Sequence, residues 1–121
     1  TFDIDILIDH ESENISRFLG CLASFGAGYA CELAVEDFDL SEGCITINED
    51  EIQIDVFTIM GGNTYADLLR YRSWHDREEG TAIPFLNADG LIFLKSQSVR
   101  PKDQADAAAL RELKTKLPPN T

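Results

Sequence analysis

Phe2-Asp3-Ile4-Asp5-Ile6-Leu7-Ile8 opens the chain, and Ile52-Gln53-Ile54-Asp55-Val56-Phe57 stands near its middle. Both alternate, as strands do when successive side chains point to opposite faces. Ile4, Ile6 and Ile8 then share one face of the first stretch, and Asp3 and Asp5 the other. In the second stretch Ile54 and Val56 point one way and Asp55 the other. Asp is depleted in strands, and like charges beside each other on one face repel. A wet, solvent-facing strand is the plain account of the Asp pair. The chemical account is that Asp3, Asp5 and Asp55, on strands lying side by side, gather hard oxygen ligands about one or two divalent cations, Mg2+ or Mn2+. Residues two apart on a strand lie roughly 6.5 Å apart along the chain. Side chains converging from that separation can serve metals about 3.5–4 Å apart, the apparatus of phosphoryl and nucleotidyl transfer. Asp9 falls on the same face but reads as a strand-end residue.

Working outward, Ile15, Phe18, Leu19, Leu22 and Phe25 recur at helical spacing from Ser12 to Phe25, and Gly26 and Gly28 stop that helix. Residues 30–42 are ambiguous. Cys44-Ile45-Thr46-Ile47 forms a strand paired with the one through Asp55, the polar stretch Asn48-Glu49-Asp50-Glu51 making the hairpin loop. Gly61-Gly62-Asn63 breaks the pattern, and a short helix over Tyr65, Leu68, Leu69 and Arg72 follows. Residues 73–86 hold a strand, a turn at Glu79-Gly80 and a strand through Ile83, with Pro84 marking an edge. Asn87 caps a helix over Leu91-Ile92-Phe93-Leu94-Lys95, apolar on most sides and expected to be buried. A last helix starts at Pro101 with the stripe Ala105, Ala109, Leu110, Leu113 and Leu117, and Pro118-Pro119 ends it. The expectation is one α/β (α+β) domain over residues 1–117, a mixed β-sheet flanked by helices, with 118–121 a frayed tail.

With 22 acidic and 10 basic residues the formal charge is −12. Such a surface repels polyanions, so long nucleic acid is not the expected partner. No apolar run approaches the roughly 20 residues of a membrane helix, and the opening residues carry no leader-like pattern. Cys21, Cys31 and Cys44 lack metal or redox spacing and read as buried free thiols of a cytoplasmic protein. Lys95, Arg100 and Lys102 form a loose cationic group in the second half. They either meet phosphates or pair with Asp103 and Asp106. His10 and His75 belong to no metal-ligand motif and read as surface or hydrogen-bonding histidines, and Trp74 and Tyr71 read as packing residues. Walker A, Rossmann and serine-elbow motifs are absent.

Thr1-Phe2-Asp3-Ile4-Asp5-Ile6-Leu7-Ile8 resembles the metal-binding strand of small bacterial and archaeal nucleotidyltransferase-like proteins of the polymerase β type superfamily. Ile52-Gln53-Ile54-Asp55-Val56-Phe57 is similar to that family's third-carboxylate strand. Leu94-Lys95 and Arg100-Pro101-Lys102-Asp103-Gln104-Ala105-Asp106, followed by Ala109-Leu110, resemble a C-terminal signature of the same group. The resemblance implies Mg2+-dependent transfer of a nucleoside monophosphate from a nucleoside triphosphate to an acceptor. Asp3 and Asp5 would bind the metal pair, and Asp55 would be third ligand and activator of the acceptor hydroxyl. One element departs. The family carries a Gly-rich turn before the Asp pair whose N–H groups hold the triphosphate, whereas Gly61-Gly62 follows the third carboxylate here. That departure puts triphosphate binding in question, and the alternative to the enzyme reading is a non-catalytic relative acting as an interaction or antitoxin-like module, with a homodimer one way to fill an open sheet edge. A metal-dependent nuclease ranks last, since no Lys lies near Asp55.

Overall fold

The structure is a computed structural model that describes residues 2–78 and 80–116. The expected positions Thr1, Glu79, Leu117, Pro118 and Pro119, with the tail, lie outside the described residues. The fold is α+β, a mixed sheet with helices as the alternation requires. The chain forms two compact units, Thr1–Asp67 and Leu68–Thr121.

In the first unit β1 (Phe2–Leu7) pairs parallel with β3 (Ile52–Phe57), which pairs antiparallel with β2 (Ile45–Glu49). The sheet order is therefore β1-β3-β2. Its apolar face carries Ile6 and Ile8 from the opening segment, Ile54 and Val56 from β3, and Ile45 and Ile47 from β2. Helix α1 (Ser12–Leu22) covers that face with Ile15, Phe18, Leu19 and Leu22, and Ile15 is only 1% exposed. Phe18 meets Phe38 edge to face with ring centres 6.4 Å apart. The ambiguous stretch resolves into single 3-10 turns, Tyr29–Glu32 and Val35–Asp37, which bring Ala30, Leu33, Val35 and Phe38 to the core.

Three local expectations are corrected in this unit. Helix α1 ends at Leu22 rather than Phe25, and Gly26 and Gly28 take left-handed φ of +56° and +81° just beyond it. The hairpin turn is shorter than Asn48–Glu51, because Glu49 still pairs with Ile52 and only Asp50-Glu51 turn. Asp50 supplies the positive φ, +49°, that Asp tolerates better than most residues. Cys21, Cys31 and Cys44 are free but exposed, not buried.

Glu49 is the polar surprise of this core. It is 8% exposed, and its Oε2 accepts the Ala27 N–H at 3.0 Å while Oε1 has no partner among the described residues. A Cβ at Gly26 would overlap this carboxylate. The glycine thus serves both a left-handed turn and a close approach.

Helix α2 (Tyr65–Leu68) carries the chain into the second unit. Its start is a reciprocal capping box, with Thr64 N–H donating to Asp67 at 2.9 Å and Asp67 N–H to Thr64 at 3.3 Å. There β4 (Arg72–Asp76) and β5 (Ala82–Leu86) form an antiparallel hairpin. Pro84 sits on a strand with a free edge, as a residue without N–H must. Asn87 caps α3 (Ala88–Ser96) by accepting the Gly90 N–H at 3.0 Å. Leu91 is exposed and Ile92 to Lys95 are half-buried, so α3 is less buried than its composition suggests.

Helix α4 (Pro101–Thr115) packs on α3 through a face different from the expected stripe. Ala107 is its buried residue, with Asp103, Asp106 and Leu110 half-buried on the same side, while Ala105, Ala109 and Leu113 are exposed. Lys95 of α3 explains the choice, since its Nζ reaches Asp106 at 3.0 Å and Asp103 at 3.7 Å. Trp74 is not a packing residue. It is 53% exposed, with the Arg72 guanidinium 4.8 Å from its ring centre. Tyr71 does pack, against Phe93 at 5.3 Å.

Two substitutions test this account of the first unit. Ile15→Ala is expected to lower unfolding free energy by about 2–5 kcal/mol through the cavity beneath α1. Gly26→Ala is expected to cost about 1–3 kcal/mol, from left-handed strain and crowding of Glu49. Urea titrations of both variants, read by far-UV circular dichroism, check the values.

Candidate active site

The polar face of the three-stranded sheet is arranged in rows. Asp3, Gln53 and Asn48 stand abreast across β1, β3 and β2, and Asp5, Asp55 and Thr46 form the next row. Asp5 and Asp55 are thus direct neighbours on parallel strands, spaced about 4.8 Å apart as such strands are. The chain separates these residues by 50 positions, and the ladder brings them together on an open surface. Asp3 and Asp5 are exposed and Asp55 is half-buried.

Asp55 is the oriented member of the pair. Its Oδ1 accepts the Thr46 hydroxyl at 2.8 Å, and the Gln53 amide reaches both carboxylate oxygens at 3.2 Å. Among the described residues no comparable donor reaches Asp5. Burial, then the Asp55 charge, then that of Asp3, raise its carboxyl above the ordinary value of 3.8. These causes share a physical meaning: negative charge accumulates on this face faster than the protein compensates it.

Hard oxygen donors, excess negative charge and an open face suit a divalent cation in chemical type. In position the fit is partial. Asp3 stands across from Gln53 and one step along β1, and among the described residues no group of three or more His, Cys, Asp or Glu side chains is arranged to hold a metal ion. Asp5 and Asp55 would provide the first ligands, with Asp3 reaching from its row. Asp9 turns to other work, its Oδ1 accepting the Glu11 N–H at 3.2 Å where α1 begins.

The candidate phosphate-binding cations lie in the second unit. Lys95 is engaged by Asp106 and Asp103, and Arg100 Nε lies 3.9 Å from Asp103. Ser98 donates its hydroxyl to Asp103 at 2.7 Å, and this bond is the main reason the Asp103 carboxyl is lowered from 3.8. Burial opposes the shift, while the charges of Arg100, Lys95 and Lys102 add to it. Lys102 is exposed beside them, as are His10 and His75 elsewhere. The pairing with Asp103 and Asp106 is therefore the contact that Lys95 and Arg100 make in this structure.

Two residues at the site escaped sequence reasoning. Gln53 was accessible to it, since period 2 places Gln53 on the face of Asp55. Thr46 was not, because its place beside Asp55 depends on the short two-residue turn.

The raised Asp5 carboxyl fixes the sign of a pH effect. The folded protein holds this proton more tightly than the unfolded chain, so the associated stability is full below the ordinary Asp range and lost as pH rises through the raised value. Ionised Asp5 beside Asp55 then weakens the metal-free fold at neutral pH. Asp5→Asn is expected to raise the melting temperature by a few degrees at pH 7, and by nothing once pH falls below about 3.9. Calorimetry in the presence of a chelator checks both conditions. No family model, curated protein or solved structure matches this chain.

Proposed function

We propose that the first unit is a nucleotidyltransferase-like domain, transferring a nucleoside monophosphate from a nucleoside triphosphate to an acceptor hydroxyl with the help of Mg2+ or Mn2+. One observation carries this reading: Asp5 and Asp55 share a row of the parallel ladder on an exposed face, with Asp3 in the adjacent row. A fold gains nothing from opposing like charges, which destabilise the pairing of the strands that carry them. Asp3, Asp5 and Asp55 would hold the metal. When bound, the ion would neutralise the cluster and the charge that develops on the transferring phosphate. Asp55, held by Thr46 and Gln53, is suited to accept the acceptor's proton because its carboxylate is already aimed.

A second reading, a non-catalytic interaction module, draws on a different observation. Asp3 faces an amide rather than an acid across the ladder, leaving two carboxylates in the closest group. No helix among the described residues is long and apolar enough to cross a membrane, so neither reading invokes one.

Isothermal titration with Mg2+ and Mn2+ separates them. The enzyme reading expects saturable binding that weakens at least about tenfold in Asp5→Asn and in Asp55→Asn. Incubation with labelled nucleoside triphosphates and candidate acceptors should then give metal-dependent transfer that Asp55→Asn abolishes. A folded protein that binds neither ion would instead support the interaction module.

A further inference from the structure

The outer edge of β1 is an unfilled strand position with a charge code. The Phe2 N–H donates to the Glu51 carbonyl at 2.7 Å and the Ile8 N–H to the Phe57 carbonyl at 3.0 Å. In a parallel ladder alternate residues direct both backbone groups to the same neighbour. The even-numbered residues of β1 therefore spend their backbone groups on β3, and those of Asp3, Asp5 and Leu7 face away from it. Among the described residues no strand of the sheet lies on that side. The edge is accessible: Phe2 is 71% and Ile4 45% exposed, and Asp3 and Asp5 are exposed on the other face.

We infer that this edge takes an extended basic peptide as an added strand, its Lys or Arg residues alternating with apolar ones. Main-chain pairing would complete the bonds of Asp3, Asp5 and Leu7, the usual source of affinity in strand addition. Specificity would come from the two faces. Basic side chains on one face of the incoming strand would meet Asp3 and Asp5 at cross-strand distance, about 4.5–5.5 Å between Cβ atoms. Apolar side chains on the other would cover Phe2 and Ile4, extending the face on which α1 packs.

The same charges argue against a second copy as occupant. A two-fold axis at Ile4 sets Asp3 against Asp5 of the copy, and one at Asp5 or Asp3 sets that residue against itself. An axis at Ile6 brings Asp3 to Asp9. Every such antiparallel register opposes carboxylates, which is how natural sheets discourage self-pairing at an edge. A protein of net charge −12 adds a general attraction for cationic segments. The inference does not require catalysis, and it stands or falls separately from the nucleotidyl-transfer reading.

The test is fluorescence anisotropy with a labelled peptide of alternating Lys and Val as long as β1, in chelator and at moderate salt. Saturable binding is expected, and a Glu/Val peptide should not bind. A third peptide keeps every charge but carries N-methyl groups on the amides that would face the protein. It should bind at least about tenfold more weakly, because it cannot pair as a strand. The Asp3→Asn/Asp5→Asn protein, its fold verified by circular dichroism, should also lose about tenfold. Equal binding of the methylated peptide would reduce the effect to bulk charge and overturn the inference. So would absence of binding by the alternating peptide. Concentration-dependent dimers in sedimentation, with Asp3, Asp5 and Leu7 amides protected from exchange, would overturn it by assigning the edge to a second copy.

Discussion

The in-register parallel pairing of β1 with β3 is the constraint on which the rest of the first unit depends. It aligns Ile4 with Ile54 and Ile6 with Val56 on the face that α1 covers. Because side chains alternate strictly, the same register aligns Asp5 with Asp55 on the other face. The two alignments cannot be separated. A slip of two residues would keep apolar groups on the covered side but set Asp5 beside Gln53 or Phe57. Packing of Ile15 and Phe38 against a particular set of core side chains is what selects one register, since interiors tolerate little mismatch in shape. The acidic pair is thus positioned by the core beneath it, through the backbone, and not by any attraction of its own.

That positioning works against electrostatics. A chain with 22 acids and 10 bases has few cations to spare, and none of its basic residues falls on these three strands. Compensation comes from neutral donors, the Thr46 hydroxyl and the Gln53 amide, and both serve Asp55. The result is asymmetric: one carboxylate is satisfied and directed, the other crowded and protonated more easily than usual. Asymmetry of this kind is how paired carboxylates acquire different roles in a shared site. The second unit uses the opposite arrangement. There Lys95, Arg100 and Ser98 surround Asp103, and their contacts link α3 to the start of α4.

Much of this was legible from the residues because period-2 and period-3.6 patterns report burial directly. The three strands of the first sheet, α1, the Asn87 cap and the start of α4 at Pro101 all follow from such signals. What was not legible depended on contacts distant in sequence. The face of α4 was chosen by Lys95, whose ion pairs bring Asp103 and Asp106 inward where apolar spacing favoured Ala105 and Ala109. The turns over 29–37 have no period to read, being single 3-10 turns shaped by the core they cap. Thr46 became a neighbour of Asp55 only because the hairpin turn was tighter than its four polar residues implied. The Asp pair itself was legible as two faces, but adjacency required the ladder.

Glu49 provides the contrast that gives the open acidic face its meaning. It too is a carboxylate with incomplete partners, one oxygen on the Ala27 N–H and the other on nothing among the described residues. Yet it is sealed beneath the Gly26 turn, where any added atom would collide with it. A buried, half-satisfied carboxylate with no approach path is a structural expense, tolerated because it ties the 23–28 turn to the end of β2. Asp5 bears an electrostatic burden without that return, since among the described residues its carboxylate takes part in no hydrogen bond or ion pair, and its neighbour Asp55 is held by side chains alone. They face solvent, where an ion, a phosphate-bound metal or a basic strand can reach them. Access from solvent, and not the charge alone, is what separates the two acidic sites, and it is from that difference that the proposed readings start.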